Sequence, residues 1–397
     1  MEKDIISRLS RHYPTSTIRQ MFVLAQDYDK YPAAKLYPTW ANTCNGEPNF
    51  PTPQHIVDAA IKSLNAGETK YSTEWGIDEL RDAIAEKCCR DIAPVYERKH
   101  IIATTGGVGA VMLAMMTIVN PGDEVILPDP CYTCYEGQIL SMGGVPVRVP
   151  MYEENGFVFS VEDLEKAITD KTKAIVMNFP SNPLGAVLTE EKARELAKVV
   201  KKHNLIVISD EVYEKIVFDG YRYFSMAMID EIRDNVILVN SFSKTYAMTG
   251  WRLGYVACTN DEINANIYKM QQSFVSCLPV FIMRAGAAAL NGPQDCVEDM
   301  RQQYEKRRNL LLSGLKKIPG MKPFVPVGSF CCFVNIKEMG VKSWDFSEAL
   351  LKEAGVLTVA GSAFGNTGEG YLRMCFASSD ENIVTACERI KRYVDQM

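Results

Sequence analysis

The sequence predicts an α/β fold: a mostly parallel sheet with helices on both faces, joined to a smaller α+β domain. Three observations predict it. Short, charge-free runs rich in β-branched residues alternate with helical periodicity between about residues 100 and 260, as in crossover units around a buried parallel sheet. Most of these runs stop at a polar cluster, and ligands on such sheets bind beyond the carboxyl ends of the strands. The alternation changes after Asn291-Gly-Pro293, a turn-forming stretch. The expected organisation is an N-terminal arm over 1–48 belonging to the small domain, a large ligand-binding domain over 49–290, and a small C-terminal α+β domain over 291–397.

In chain order, the arm holds an amphipathic helix around Ile18 to Tyr28 and then a loop containing proline and tyrosine. Asn45-Gly-Glu-Pro-Asn-Phe-Pro-Thr-Pro53 is turn chemistry, and Gly46 can bring backbone close to a ligand. Gly76 opens a helix running to about Cys89, followed by strand Ile101–Ala103. Thr105-Gly-Gly-Val-Gly-Ala110 then starts another helix, leaving backbone N–H groups free for an anion. The missing third glycine and acidic strand end weaken a dinucleotide reading. Strand Glu124–Leu127 leads through Pro128-Asp-Pro-Cys-Tyr132-Thr-Cys-Tyr135 into a helix, and strand Val145–Val149 follows.

Ser160-Val-Glu-Asp163 reads as a capping box, with Val161, Leu164 and Ile168 on one helix face. Strand Ala174–Met177 ends at Asn178-Phe-Pro-Ser-Asn182. Thr189 caps a helix whose first turn is acidic and last turn basic, matching the helix dipole. Strands Leu205–Ile208, Val236–Val239 and Gly254–Cys258 complete the alternation. A long helix is expected from about Ile263 into the 290s. Beyond it come helix Cys296–Leu315, strands near Met321–Phe324 and over Cys331–Ile336, helix Phe346–Ala354, strand Tyr371–Phe376 and a terminal helix.

Composition narrows the function. Of 397 residues, 47% are hydrophobic and 23% charged, as in ordinary globular proteins. A net charge of −6 leaves no basic excess for binding nucleic acid. The uncharged stretch Ile101–Gly122 is broken by glycines into segments too short to span a bilayer, so no membrane partner is expected. The start lacks the apolar core of a signal peptide. Twelve cysteines with a single Cys-x-x-Cys and four scattered histidines fit free thiols in a reducing, cytoplasmic setting rather than a metal site.

The chemistry centres on Asn240-Ser-Phe-Ser-Lys244 and on Arg252, eight residues after the lysine. A lysine ending a buried strand is poorly solvated, which lowers its pKa and frees a neutral amine. Ser241, Ser243 and Arg252 are donors suited to a phosphate dianion. An amine beside an anion cradle points to a Schiff base with pyridoxal 5'-phosphate. The same residues match Ser-x-x-Lys of penicillin-binding proteins, but the Lys-Thr-Gly and Ser-Asp-Asn elements are missing. Asp210 ends an apolar strand and needs a cation, for which a protonated pyridine nitrogen would serve. Asn182 and Tyr213 could bond the ring's phenolic oxygen, and Tyr132 could stack on its face. Arg373 interrupts the apolar strand Tyr371–Phe376; its partner is either a structural carboxylate or a substrate carboxylate.

Thr105-Gly-Gly-Val108, Ser181-Asn182-Pro-Leu-Gly185, Ser209-Asp210-Glu-Val-Tyr213, Ser241-Phe-Ser-Lys244, Gly250-Trp-Arg252 and Tyr371-Leu-Arg373 together resemble the class I/II aminotransferases of fold type I. The resemblance runs from about residue 16 to the C-terminus. It implies that Lys244 is the Schiff-base lysine and proton shuttle, that Asp210 pairs with the ring nitrogen, and that Asn182 and Tyr213 meet the phenolate. Ser241, Ser243, Arg252 and backbone at Gly107 and Val108 would hold the phosphate. Tyr71 would reach the phosphate of a neighbouring subunit in a homodimer with shared sites. Arg373 would bind the substrate α-carboxylate, with Gly46 and Asn182 beside it. Ser16-Thr-Ile18-Arg19 resembles a segment that closes over substrate. Tyr132 stands where many members have tryptophan. Residues 271–283 lack the arginine that animal-type aspartate enzymes use for the distal carboxylate. The implied activity moves an amino group from an L-amino acid to a 2-oxo acid, with 2-oxoglutarate the expected acceptor. A C–S β-lyase of the cystathionine type is the alternative on the same scaffold.

Overall fold

The computed structural model describes residues 5–15 and 17–397. The first four residues of the arm, and Ser16 of the expected closing segment, lie outside the described residues. The strands in chain order are β1 (Ala41–Asn42), β2 (Ile101–Thr104), β3 (Glu124–Asp129), β4 (Val145–Pro150), β5 (Thr172–Asn178) and β6 (Ile206–Asp210). They continue with β7 (Val236–Ser241), β8 (Gly254–Ala257), β9 (Lys322–Pro323), β10 (Cys331–Asn335), β11 (Val356–Leu357), β12 (Val359–Ala360) and β13 (Tyr371–Cys375).

Seven strands form the central sheet in the order β2-β8-β7-β6-β5-β3-β4. Strands β3 to β7 pair in parallel, whereas β8 runs antiparallel to both β7 and β2. The cause is local. The β7–β8 connection carries only one helical turn, Phe242–Thr245, and a parallel return needs a full crossover.

Successive residues of each strand feed opposite cores. Val125, Leu127, Ala174, Val176, Ile237 and Val239 pack on the face covered by helices Gly106–Ile118 and Asp261–Phe274. Ile126, Ile175, Met177, Val207 and Leu238 pack on the other face with Leu80, Ile84, Leu164, Leu196 and Met283. Burying each such side chain contributes about 1.5–3 kcal/mol, so this period-2 alternation locks the register that carries the strand-end residues.

Four strands, β12-β13-β10-β9, form a second, antiparallel sheet. A separate apolar cluster backs it, including Leu311, Leu315, Phe346, Leu350, Ile383 and Ile390 from helices Asp295–Leu315, Ser343–Ala354 and Asp380–Val394. The arm is tied in where β1 pairs in parallel with β11.

Some expectations are corrected. The long helix from Ile263 is two helices, Asp261–Phe274 and Val280–Asn291. Pro279 has no N–H to donate and disfavours helical backbone before it, and Ser276 adopts φ 69° in the break. Ile168 is not on the face of the 161–167 helix but is its extended C-cap, although Ser160 does accept from the Asp163 N–H. No described helix is long and apolar enough to cross a membrane.

Candidate active site

A cavity of about 790 Å³ opens at the carboxyl ends of β5, β6 and β7. Ile18, Gly46, Gly107, Val108, Tyr132, Asn182, Asp210, Tyr213, Ser241, Ser243, Lys244, Arg252 and Arg373 all line it. Tyr71 does not. It is 93% exposed and lies beside Leu278 and Pro279 in another depression.

Lys244 sits in the helical turn that follows β7. Its Nζ donates to the Gly46 carbonyl at 2.5 Å and lies 5.9 Å and 5.5 Å from the Tyr213 and Phe330 ring centres. Burial brings its pKa down to about 8, so about a tenth of the amine is neutral at pH 7.

Asp210 is the last residue of β6 and is buried. Its Oδ2 accepts from the Tyr135 hydroxyl at 2.6 Å, and its Oδ1 from the Val212 N–H at 3.4 Å. Burial raises its pKa to about 6, against the pull of Tyr135, Val212 and Lys244. Among the described residues, none forms an ion pair with it. The carboxylate therefore has room for a cation in the cavity.

The anion-binding corner is built by close backbone approach. Gly106 has φ +74°, and a Cβ there would meet Arg252 Nη2 at 2.6 Å. This brings the guanidinium against the N-terminus of helix Gly106–Ile118, whose first N–H groups have no helical acceptor. Ser241 Oγ accepts from the Ser243 N–H at 3.2 Å, capping the Lys244 turn and turning both serines to the cavity. Arg252 donates to the Thr249 carbonyl at 2.9 Å.

Arg373 rises from β13 and is only 2% exposed. Its Nη2 donates to the Cys44 carbonyl and its Nη1 to Asn182 Oδ1 at 3.4 Å, while Nε has no hydrogen-bond partner. It stacks 5.3 Å from the Phe364 ring centre. No salt bridge to a carboxylate is found for it among the described residues, so the expected choice of partner leans to an anion entering the cavity. Burial pushes the Tyr213 phenol up, keeping it an O–H donor.

Several lining groups were not anticipated from the sequence. Tyr135 follows Tyr132 by three residues, so both turn inward at the start of helix Cys134–Ser141. Asn178 ends β5; its Nδ2 donates to the Asp210 carbonyl at 3.0 Å, and its Oδ1 accepts from the Asn182 N–H at 3.0 Å. Its strand-end position was the available signal. Phe22, Val23 and Gln26 add a wall from helix Thr17–Gln26 beyond Ile18 and Arg19 of the expected closing segment.

This donor set fits pyridoxal phosphate: an amine, an anion cradle, a buried carboxylate in need of a cation, and an aromatic wall at Tyr132. Comparison with known proteins agrees with that chemistry. The family model for aminotransferase class I and II matches residues 38–390. The chain is 39% identical over 384 residues to aromatic-amino-acid aminotransferase 2 of Thermococcus litoralis, covering 96% of each chain. It is 42% identical over 358 residues to an aspartate aminotransferase of Bacillus subtilis, covering 88% of this chain and 90% of the relative. The solved aromatic aminotransferase from Pyrococcus horikoshii superposes with a TM-score of 0.88 at 40% identity, covering 94% and 99% of the two chains. The β-lyase alternative finds no such support. The chain belongs to the class I and II aminotransferase family and is an aminotransferase.

Proposed function

We propose that the chain binds pyridoxal 5'-phosphate in this cavity and transfers the amino group of an L-amino acid to a 2-oxo acid, 2-oxoglutarate in particular. The observation that carries the reading is the pair of buried charges, Asp210 and Arg373, that face one cavity without an ion-pair partner among the described residues. Pyridoxal phosphate supplies there an electrophilic aldehyde and an electron-accepting ring. Lys244 would hold the cofactor through its amine, and its Nζ would take the substrate α-proton and give it back. Asp210 holds a proton on the ring nitrogen, and Tyr135 fixes the carboxylate that does so. Asn182 and Tyr213 donate to the phenolic oxygen, and Tyr132 covers the ring face. Ser241, Ser243, Arg252 and the backbone of Gly107 and Val108 bind the phosphate.

Arg373 receives the substrate α-carboxylate, with Gly46 and Asn182 bounding its other side. Ile18, Phe22 and Val23 offer an apolar wall for the substrate side chain, which favours aromatic donors such as those of the Thermococcus relative. Tyr71, exposed on this protomer, serves the phosphate of a second copy in a homodimer. Twelve cysteines, all free, accord with a cytoplasmic setting.

The test is a panel of amino donors with 2-oxoglutarate and the protein loaded with pyridoxal phosphate. Glutamate formation with phenylalanine or tyrosine is expected, with aspartate as the comparison donor. Pyruvate and ammonia from cystathionine, without glutamate from any donor, would overturn the reading.

A further inference from the structure

Cys331 and Cys375 are directly opposite one another on β10 and β13. The ladder between these strands is bracketed by Ile336 N–H bonding to the Gly370 carbonyl at 2.8 Å and Phe376 N–H bonding to the Phe330 carbonyl at 3.0 Å. Counting inward by twos puts Cys331 and Cys375 in a non-hydrogen-bonded pair, the kind with Cα atoms about 4.5 Å apart. That spacing falls within the range of roughly 4.4–6.8 Å that a disulfide spans. The thiols already face each other at 3.5 Å, and Cys331 Sγ also lies 3.5 Å from Asn182 Oδ1.

We propose that Cys331 and Cys375 form a site of reversible oxidative modification, a dithiol that a small peroxide converts to a cross-strand disulfide, loosening the grip of Arg373 and Asn182 on substrate. The second half rests on the role given to those two residues above. Both thiols are buried, so the oxidant must be close to water in size. Asn182 and Arg373 form the adjoining cavity wall, giving such a molecule a short route. The 3.5 Å contact with Cys331 Sγ, with Arg373 and Lys244 nearby, holds the Cys375 thiol below its usual pKa, which makes it the attacking thiolate.

The step balances. Cys375 thiolate attacks one peroxide oxygen; the O–O bond breaks and hydroxide leaves, taking up a proton as water. Cys331 then attacks the resulting sulfenic sulfur; the S–S bond forms, the S–O bond breaks, and a second water carries off the Cys331 proton. Two thiols are oxidised and one peroxide is reduced to two waters. The sulfurs close from 3.5 Å to about 2 Å, and the S–H beside Asn182 is lost. Asn182 Oδ1 also accepts from Arg373, so both shift together.

The experiment treats the holoenzyme with hydrogen peroxide and maps its peptides without reductant. A peptide containing Cys331 linked to one containing Cys375 is expected. KM for the amino donor should rise about tenfold, the worth of one hydrogen bond to a charged group, with kcat nearly unchanged and full recovery in dithiothreitol. The Cys375→Ala protein, compared with its own untreated state, should not respond. No linked peptide, linkage of either thiol to Cys44, or a linked protein with unaltered KM would overturn the inference. Peptide mapping is independent of activity, so its failure leaves the transaminase reading intact; failure of that reading would appear in the untreated holoenzyme.

Discussion

Asp210 is the residue whose energetics are most sensitive to what the cavity holds. Its pKa of about 6 exceeds the unfolded value of 3.8. In the protein without cofactor, the stability due to its bound proton is fully present below about 3.8 and is lost as pH rises through about 6. At pH 7 the buried charge then costs at most about 3 kcal/mol, because each tenfold change in proton affinity is worth about 1.4 kcal/mol. Asp210→Asn should therefore stabilise the cofactor-free protein in denaturant melts at pH 7 and much less at pH 4, while weakening pyridoxal phosphate binding. Equal effects at both pH values would contradict this. The carboxylate itself was legible, because an acidic residue ending an apolar strand has few explanations. Tyr135 and Asn178, which orient it and its strand, were not, because their roles depend on which strands are neighbours in space.

Among the elements, the β2 turn into helix Gly106–Ile118 carries the sharpest local constraint. Gly106→Ala places a side chain at positive φ and drives a Cβ toward Arg252. The cost of the left-handed backbone alone is on the order of 1–3 kcal/mol. The expected outcome is a roughly tenfold or greater rise in the Kd for pyridoxal phosphate, read by titration of the apoprotein. Unchanged affinity would mean the turn does not shape the phosphate site. Strands of the central sheet were legible as uncharged β-branched runs. The pairs β1–β11 and β12–β13 were not, since β1, β11 and β12 have two residues each and carry no periodicity. The single helix expected from Ile263 failed for a reason present in the sequence, Pro279, which outweighs the apolar pattern around it.

For the whole molecule, the alternation of strands and helices gave the architecture, but the sheet order and the reversed direction of β8 follow from packing and connection length. The placement of Tyr71 outside its own protomer's cavity makes the shared-site homodimer testable. Mixed under conditions of subunit exchange, Lys244→Ala and Tyr71→Phe proteins should yield hybrid dimers in which one site has both native residues. Activity above the sum of the separate proteins is expected; strict additivity would place Tyr71 outside the site.

The central claim is that the Lys244 amine, made partly neutral near physiological pH by burial, is the group that holds the cofactor. The most direct measurement loads the protein with pyridoxal phosphate, reduces it with borohydride, and locates the added mass by peptide mapping. The label is predicted on Lys244 alone, with the Lys244→Ala protein unlabelled and inactive. A label on another lysine, or transamination that survives the loss of this side chain, would contradict it.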